Sequence, residues 1–227
     1  MENKCIIRKS RAKLAQDSCV PEKSAFRLSI AHLHGLHPEL HLRLPKKESN
    51  HCRELKCCYS ASIDGFSALN FHGRCDFKGP CVVVAYTAAG FKFGAFNPEG
   101  YRSTDDYYDT FDAFLFYWKE SGSGGEEPPV VLPKVGGSGA AIFDYARGGP
   151  QFGADGLLIG PPLSPVMGVF TGPDASAGVG DLRQAKSRLG LSYAKREDGK
   201  ESIFGDVGKA TLAEVQVFCS PQIASLY

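Results

Sequence analysis

Apolar residues in this chain come in short runs that glycine and proline repeatedly interrupt. The longest, Cys81–Tyr86 and Ala113–Trp118, are strand-sized, far below the roughly 18–20 residues of a membrane-crossing helix. A coiled coil and a membrane span are excluded, and with 26 glycines and 14 prolines among 227 residues turns are abundant, which argues against an all-helical fold. Collagen is excluded too, because glycine follows no three-residue period. An apolar fraction of 43% with a formal charge of only +1 also argues against disorder. At roughly 100–200 residues per domain, the length allows one large domain with an appendage.

The small net charge conceals a division. Residues 1–60 hold 12 Lys/Arg against 6 Asp/Glu, and residues 61–227 hold 14 against 19. The pattern is a basic N-terminal extension over 1–50, a folded domain over 51–220 and a short tail over 221–227. The first residues lack the long apolar core of a secretory signal. The eight cysteines are irregularly spaced, five of them within the first 60 residues, which suits reduced thiols better than a cystine scaffold. A cytoplasmic location and no membrane insertion are expected.

Along the extension, Leu33, Leu36 and Leu40 fit one face of a short helix that Pro38 interrupts. In the body, Leu55–Ser60 reads as a strand and Asp64-Gly65 as a turn. Ser67 suits a helix N-cap, with Phe66 and Phe71 placed for a hydrophobic staple. Gly73 and then Gly79-Pro80 should stop that helix. Cys81–Tyr86 and Phe91–Phe96 form a hairpin around Gly90. The acidic stretch Glu99–Glu127 reads mostly as loop around a strand at Phe114–Trp118. Further strands are expected at Val130–Leu132, Ala140–Tyr145, Gln151–Phe152, Leu157–Ile159 and Leu212–Phe218. Asp181 could cap a second short helix through Leu189, stopped by Gly190. Seven to nine short strands and two short helices point to a mainly β protein with minor α, a two-sheet antiparallel β-sandwich flanked by short helices.

Local chemistry offers two candidates. His32, His34, His37, His41 and His51 precede Cys52, Cys57 and Cys58, and zinc accepts such ligands. The spacing, however, matches no paired zinc knuckle, and neutral surface imidazoles are the simpler reading. His72 lies three residues before Cys75, with Cys81 soon after, an arrangement that could activate a thiol. Buried structural thiols are the competing explanation. Gly148-Gly149-Pro150-Gln151-Phe152-Gly153 is no phosphate loop, since the lysine is missing and Pro150 lacks a donor. The basic residues of 1–13 are not interleaved with aromatics, so nucleic acid is not an expected partner. No metal or cofactor is expected.

An ordered series of motifs goes further. Tyr59-Ser60-Ala61-Ser62-Ile63-Asp64-Gly65-Phe66-Ser67 comes first, then Phe71-His72 and Cys75-Asp76-Phe77-Lys78-Gly79-Pro80. Phe93-Gly94-Ala95-Phe96, Ala113-Phe114-Leu115-Phe116, Gly149-Pro150-Gln151-Phe152-Gly153 and Glu214-Val215-Gln216-Val217-Phe218 follow. In this order, from Cys57 to Phe218, they resemble the TLDc domain of the eukaryotic oxidation-resistance proteins. Asn97-Pro98-Glu99 stands where the family often has Pro-Trp, and Gln216 replaces an acid. The resemblance implies a β-sandwich, protection against oxidative stress, and binding to the peripheral sector of the vacuolar-type proton-pumping ATPase. The expectation is a non-enzymatic module, monomeric when free, recruited to the vacuolar or another endomembrane surface. Its candidate docking edge comprises loops around Gly65, Phe66 and Ser67, around Gly94 and Asn97, and around Gly149, Phe152, Gly153, Asp155 and Gly156. The alternative is a thiol antioxidant enzyme using Cys75 or Cys81 with His72.

Overall fold

The computed structural model describes residues 55–119, 128–136, 140–163 and 178–220. The elements run β1 (Lys56–Ser60), α1 (Ala61–Asp64), α2 (Ala68–Cys75), β2 (Cys81–Thr87) and β3 (Lys92–Asn97). They continue with β4 (Asp106–Tyr108), β5 (Phe114–Tyr117), β6 (Val130–Pro133), β7 (Ile142–Asp144), β8 (Gln151–Phe152), β9 (Leu157–Ile159), β10 (Gln184–Lys186) and β11 (Lys209–Cys219). The protein is mainly β with minor α, as the pattern of short apolar runs predicts.

The eleven residues of β11 join the two halves. Along one edge it pairs antiparallel with β2, from Leu212 opposite Thr87 to Cys219 opposite Cys81. Its other edge carries β10 near Ala210 and β1 near Val217. From β2 the ladder continues through β3 and β5 to β6, and from β10 through β9, β8 and β7 to β4. The two layers of the expected sandwich are therefore joined as one curled antiparallel sheet.

Alternation along β2 explains how the halves close. Val83 and Ala85 point into the main core, while Val82 and Val84 face the other side of the sheet. The main core sits between the halves. Phe93 and Leu115 come from one, Phe152, Leu157 and Ile159 from the other, and Ala61, Ala68 and Phe71 from the helices. A Phe of this kind contributes roughly 1.5–3 kcal/mol on burial. The opposite face of β2, β3 and β5 carries a second cluster built on Val84, Phe114, Phe116 and Phe218.

Three sequence expectations need correction. No helix spans 181–189. Leu182, Ala185 and Leu189 have helical spacing, but Ser187 is also buried, so residues 185–189 alternate as a strand does. The Ser187 hydroxyl is satisfied inside, donating to Gly156 O at 2.7 Å and accepting from Ile203 N at 3.1 Å. Asp181 closes a turn instead, its Oδ1 accepting from Arg183 N. The acidic stretch also holds β4, an exposed edge strand whose Asp-Tyr-Tyr sequence carries no apolar alternation. Finally, α2 runs through the exposed Gly73 to Cys75. The described strands accordingly number eleven rather than seven to nine. The helix considered over Leu33–Leu40 and the tail over 221–227 lie outside the described residues.

Gly94 sits inside β3 rather than in a loop, opposite Val84 on one side and Phe116 on the other. A Cβ there would collide with Val83 O and come within 2.5 Å of the Phe116 ring. Gly94→Val should lower stability by about 1–3 kcal/mol through overpacking, seen as an earlier denaturant midpoint with an unchanged slope.

Candidate functional site

The first motif builds a clamp at the start of α2. Asp64 accepts from Ser60 N at 3.0 Å and pairs with Arg74 at 2.9 Å. Gly65, at φ +102°, ends α1, and its carbonyl accepts from the Tyr59 hydroxyl at 2.6 Å. Ser67 caps α2 as expected, accepting from Asn70 N through its hydroxyl. Phe66 and Phe71 have separate ring neighbours. The Arg183 guanidinium lies 4.0 Å above Phe66, while Phe71 meets Tyr59 and Tyr101 edge-on.

Backbone hydrogen bonds then gather three loops at this point. Leu182 N donates to Phe66 O, Ala68 N to Gly180 O, Gly180 N to Arg147 O, and Gly149 N to Gly160 O. A Cβ on Gly149 would lie 2.5 Å from Ile159 O, so glycine allows this close approach. Gly65–Ser67 and Gly149, far apart in sequence, are thus brought together through 180–182. Phe152, Gly153 and Gly156 are buried against Ser192 and Tyr193. Asp155 is half-buried at the tip of the same loop, its carbonyl accepting from Arg188 N. Asn97 is fully buried and closes its own turn, accepting from Glu99 N and Gly100 N and donating to Gly100 O. Of the candidate docking residues, Gly65, Phe66, Ser67 and Asp155 reach the surface in part, whereas the others hold the frame.

Next to this clamp lies a latch that motif spacing does not reveal. His72, on α2, is 6% exposed. Its Nδ1 is 2.7 Å from Asp76 Oδ1, and its Nε2 is 2.9 Å from both Tyr145 O and Gly148 O. Carbonyls and carboxylates only accept, so the full set of bonds forms when both ring nitrogens carry protons. Burial alone would push its pKa down, but the Asp76 carboxylate and the carbonyl contacts outweigh that and raise it. Ser103 Oγ donates to the other oxygen of Asp76. The serine therefore meets the carboxylate rather than the imidazole, an order that cannot activate its hydroxyl. The one available sequence signal is a histidine four residues before an aspartate at a helix end.

The thiols have a different setting. Cys75 and Cys81 are 2% and 3% exposed, and burial pushes both thiols up, Cys81 furthest. The nitrogens of His72 are committed to Asp76 and to carbonyls, so no thiolate–imidazole pair forms there. Cys57 and Cys58 donate to Tyr59 O and Val217 O. Among the described residues no group of three or more His, Cys, Asp or Glu is arranged to hold a metal ion. His32, His34, His37, His41, His51 and Cys52 lie outside them. No described helix is long and apolar enough to cross a membrane.

Beside the latch, Phe77 is 68% exposed at φ +61°. Its N–H is drawn to Tyr101 O at 2.8 Å, which holds the backbone in a region unfavourable for a bulky residue and points the ring outward.

The family model of the TLDc domain matches residues 36–163. The match covers more than half of the chain and starts ahead of residue 51. No curated protein matches it.

The latch sets a pH dependence. His72 titrates above its ordinary value of about 6.5. Its contribution to stability is therefore complete below that value and is lost as pH rises through the raised one. Unfolding midpoints measured across neutral to mildly alkaline pH should fall for the native chain. His72→Gln should flatten that fall and lower the midpoint most on the acid side.

Proposed function

Because the chain belongs to the TLDc domain family, a family connected with oxidative stress, we propose that it is a non-enzymatic docking module. It binds the peripheral sector of the vacuolar-type proton-pumping ATPase and regulates its assembly or activity. The bound form works in the cytoplasm at the vacuolar or another endomembrane surface. Phe77 carries this reading. An exposed aromatic ring held out by strained backbone, on a base locked by the buried His72–Asp76 pair, is a preorganised anchor for a protein pocket. The loops gathered around Gly65–Ser67 and Gly149 flank it through the carbonyls that His72 grips. The thiol-enzyme alternative draws no support from the geometry, since Cys75 and Cys81 are buried and held protonated.

Immobilised full-length protein, incubated with detergent extract of native membranes at physiological salt, should retain intact ATPase peripheral subunits. Phe77→Ser, an exposed substitution expected to leave the unfolding midpoint nearly unchanged, should lose most of that capture. Equal absence of pump subunits from native and variant beads, with either nucleotide present, would contradict the proposal.

A further inference from the structure

The outer face of the β9–β10–β11 layer sets two like charges opposite each other. Lys186 on β10 lies directly opposite Lys209 on β11, with Leu158 on β9 completing the row. Ser187 N donates to Gly208 O at 3.0 Å. The neighbouring 186/209 pair is therefore of the non-hydrogen-bonded kind, in which facing side chains approach closest. Like charges at such positions repel. Both lysines are exposed, and neither makes an ion pair or hydrogen bond with any described residue. Other cations nearby are paired: Lys195 with Glu201, Arg196 with Asp198, and Lys200 with Asp206. No carboxylate among the described residues lies within ion-pair distance of the two lysines, so their repulsion is not cancelled by a direct pair.

These lysines border an open cleft of about 650 Å³, with Ala154 and Leu158 along it, Val207 as an apolar wall, and Arg188 and Asp155 at one end. Its volume falls within the range typical of ligand sites, about 300–1,000 Å³. Val207 is 58% exposed. Asp155 Oδ1 has no hydrogen-bond partner among the described residues, and Oδ2 is 3.9 Å from Arg188 Nη1. A carboxylate here opposes phosphate groups and nucleic-acid backbones, yet it suits the N–H groups of a peptide. Two lysines and an arginine beside apolar walls suit carboxylate side chains alternating with apolar ones.

We propose that this cleft seats an acidic, apolar-containing segment of a protein partner. The site rests on the docking reading above and extends the docking edge from Asp155 across β10 to β11. Bound carboxylates relieve the Lys186–Lys209 repulsion.

The test uses the full-length protein and a short labelled peptide of alternating glutamate and leucine, with binding followed by fluorescence anisotropy. Binding should weaken steeply with salt, and the Lys186→Glu/Lys209→Glu pair should reduce affinity about tenfold or more. Lys209→Glu alone should match or exceed the native unfolding temperature, because it turns a repulsive pair into an attractive one, and it too should bind the peptide more weakly. The proposal is overturned if the peptide does not bind at low salt, if the double variant binds it as well as the native chain, or if poly-uridine RNA or inorganic phosphate competes it off completely. Capture of pump sectors is scored separately. A double variant that still retains them removes the cleft while leaving the docking reading intact. Lysine-dependent peptide binding without pump capture removes the pump as partner and keeps the cleft.

Discussion

The structure depends on one strand being shared. β11 offers one edge to β2 and the other to β10 and β1, so the ladders of the two halves meet on it. Its inward residues Leu212, Val215 and Val217 are essentially fully buried between the halves. Glu214 extends the same constraint to the first motif. Its carboxylate accepts from Ser60 Oγ, Ser62 N and Val215 N at the bulge where β11 shifts register against β2. A strand that closes both halves brings residues near 60 and near 215 together, and contacts so distant in sequence carry a high loop-closure cost.

That frame changes how the family motifs are understood. Tyr59, Asp64, Gly65 and Ser67 tie β1 to α2. His72 and Asp76 tie α2 to the 145–148 loop and to Ser103. Gly94 and Gly149 admit close approaches that any side chain would block. Nearly all of this chemistry is turned inward. The buried His72–Asp76 pair is the least expected part, because an ionised pair in a core costs desolvation that only the ring's three acceptor contacts and the Ser103 bond to Asp76 offset. The proposed docking residues Phe77, Asp155, Lys186 and Lys209 lie at least partly on the surface.

Much of the strand pattern was legible because it is written in alternation. The β2–β3 hairpin, β5, β6 and the Ser67 cap all follow from local residues and short-range rules. The errors have physical causes. Ser187 hides a strand because a hydroxyl satisfied inside the core looks polar in sequence, which leaves Leu182, Ala185 and Leu189 to mimic a helix face. β4 escapes because an exposed edge strand needs no apolar side. The docking candidates were only partly legible. Motif identity selects Phe152 and Gly153, and Asn97 follows the Phe93–Phe96 motif directly, yet burial shows that their role is to shape the loops. The facing lysines lie 23 positions apart in sequence, and only strand register reveals that they meet.

The motif chemistry of the domain is spent largely inside the fold, and the proposed partner contacts lie on its rim. The most direct test is hydrogen exchange on the full chain, free and then bound to purified peripheral pump sectors. Binding should slow exchange at Asp76–Lys78, Arg147–Gly149, Arg183–Arg188 and Val207–Thr211, and leave the slow amides of β2 and β11 at Val83–Ala85 and Val215–Val217 unchanged. Protection confined to other segments, or exchange altered chiefly in that core, would contradict the account.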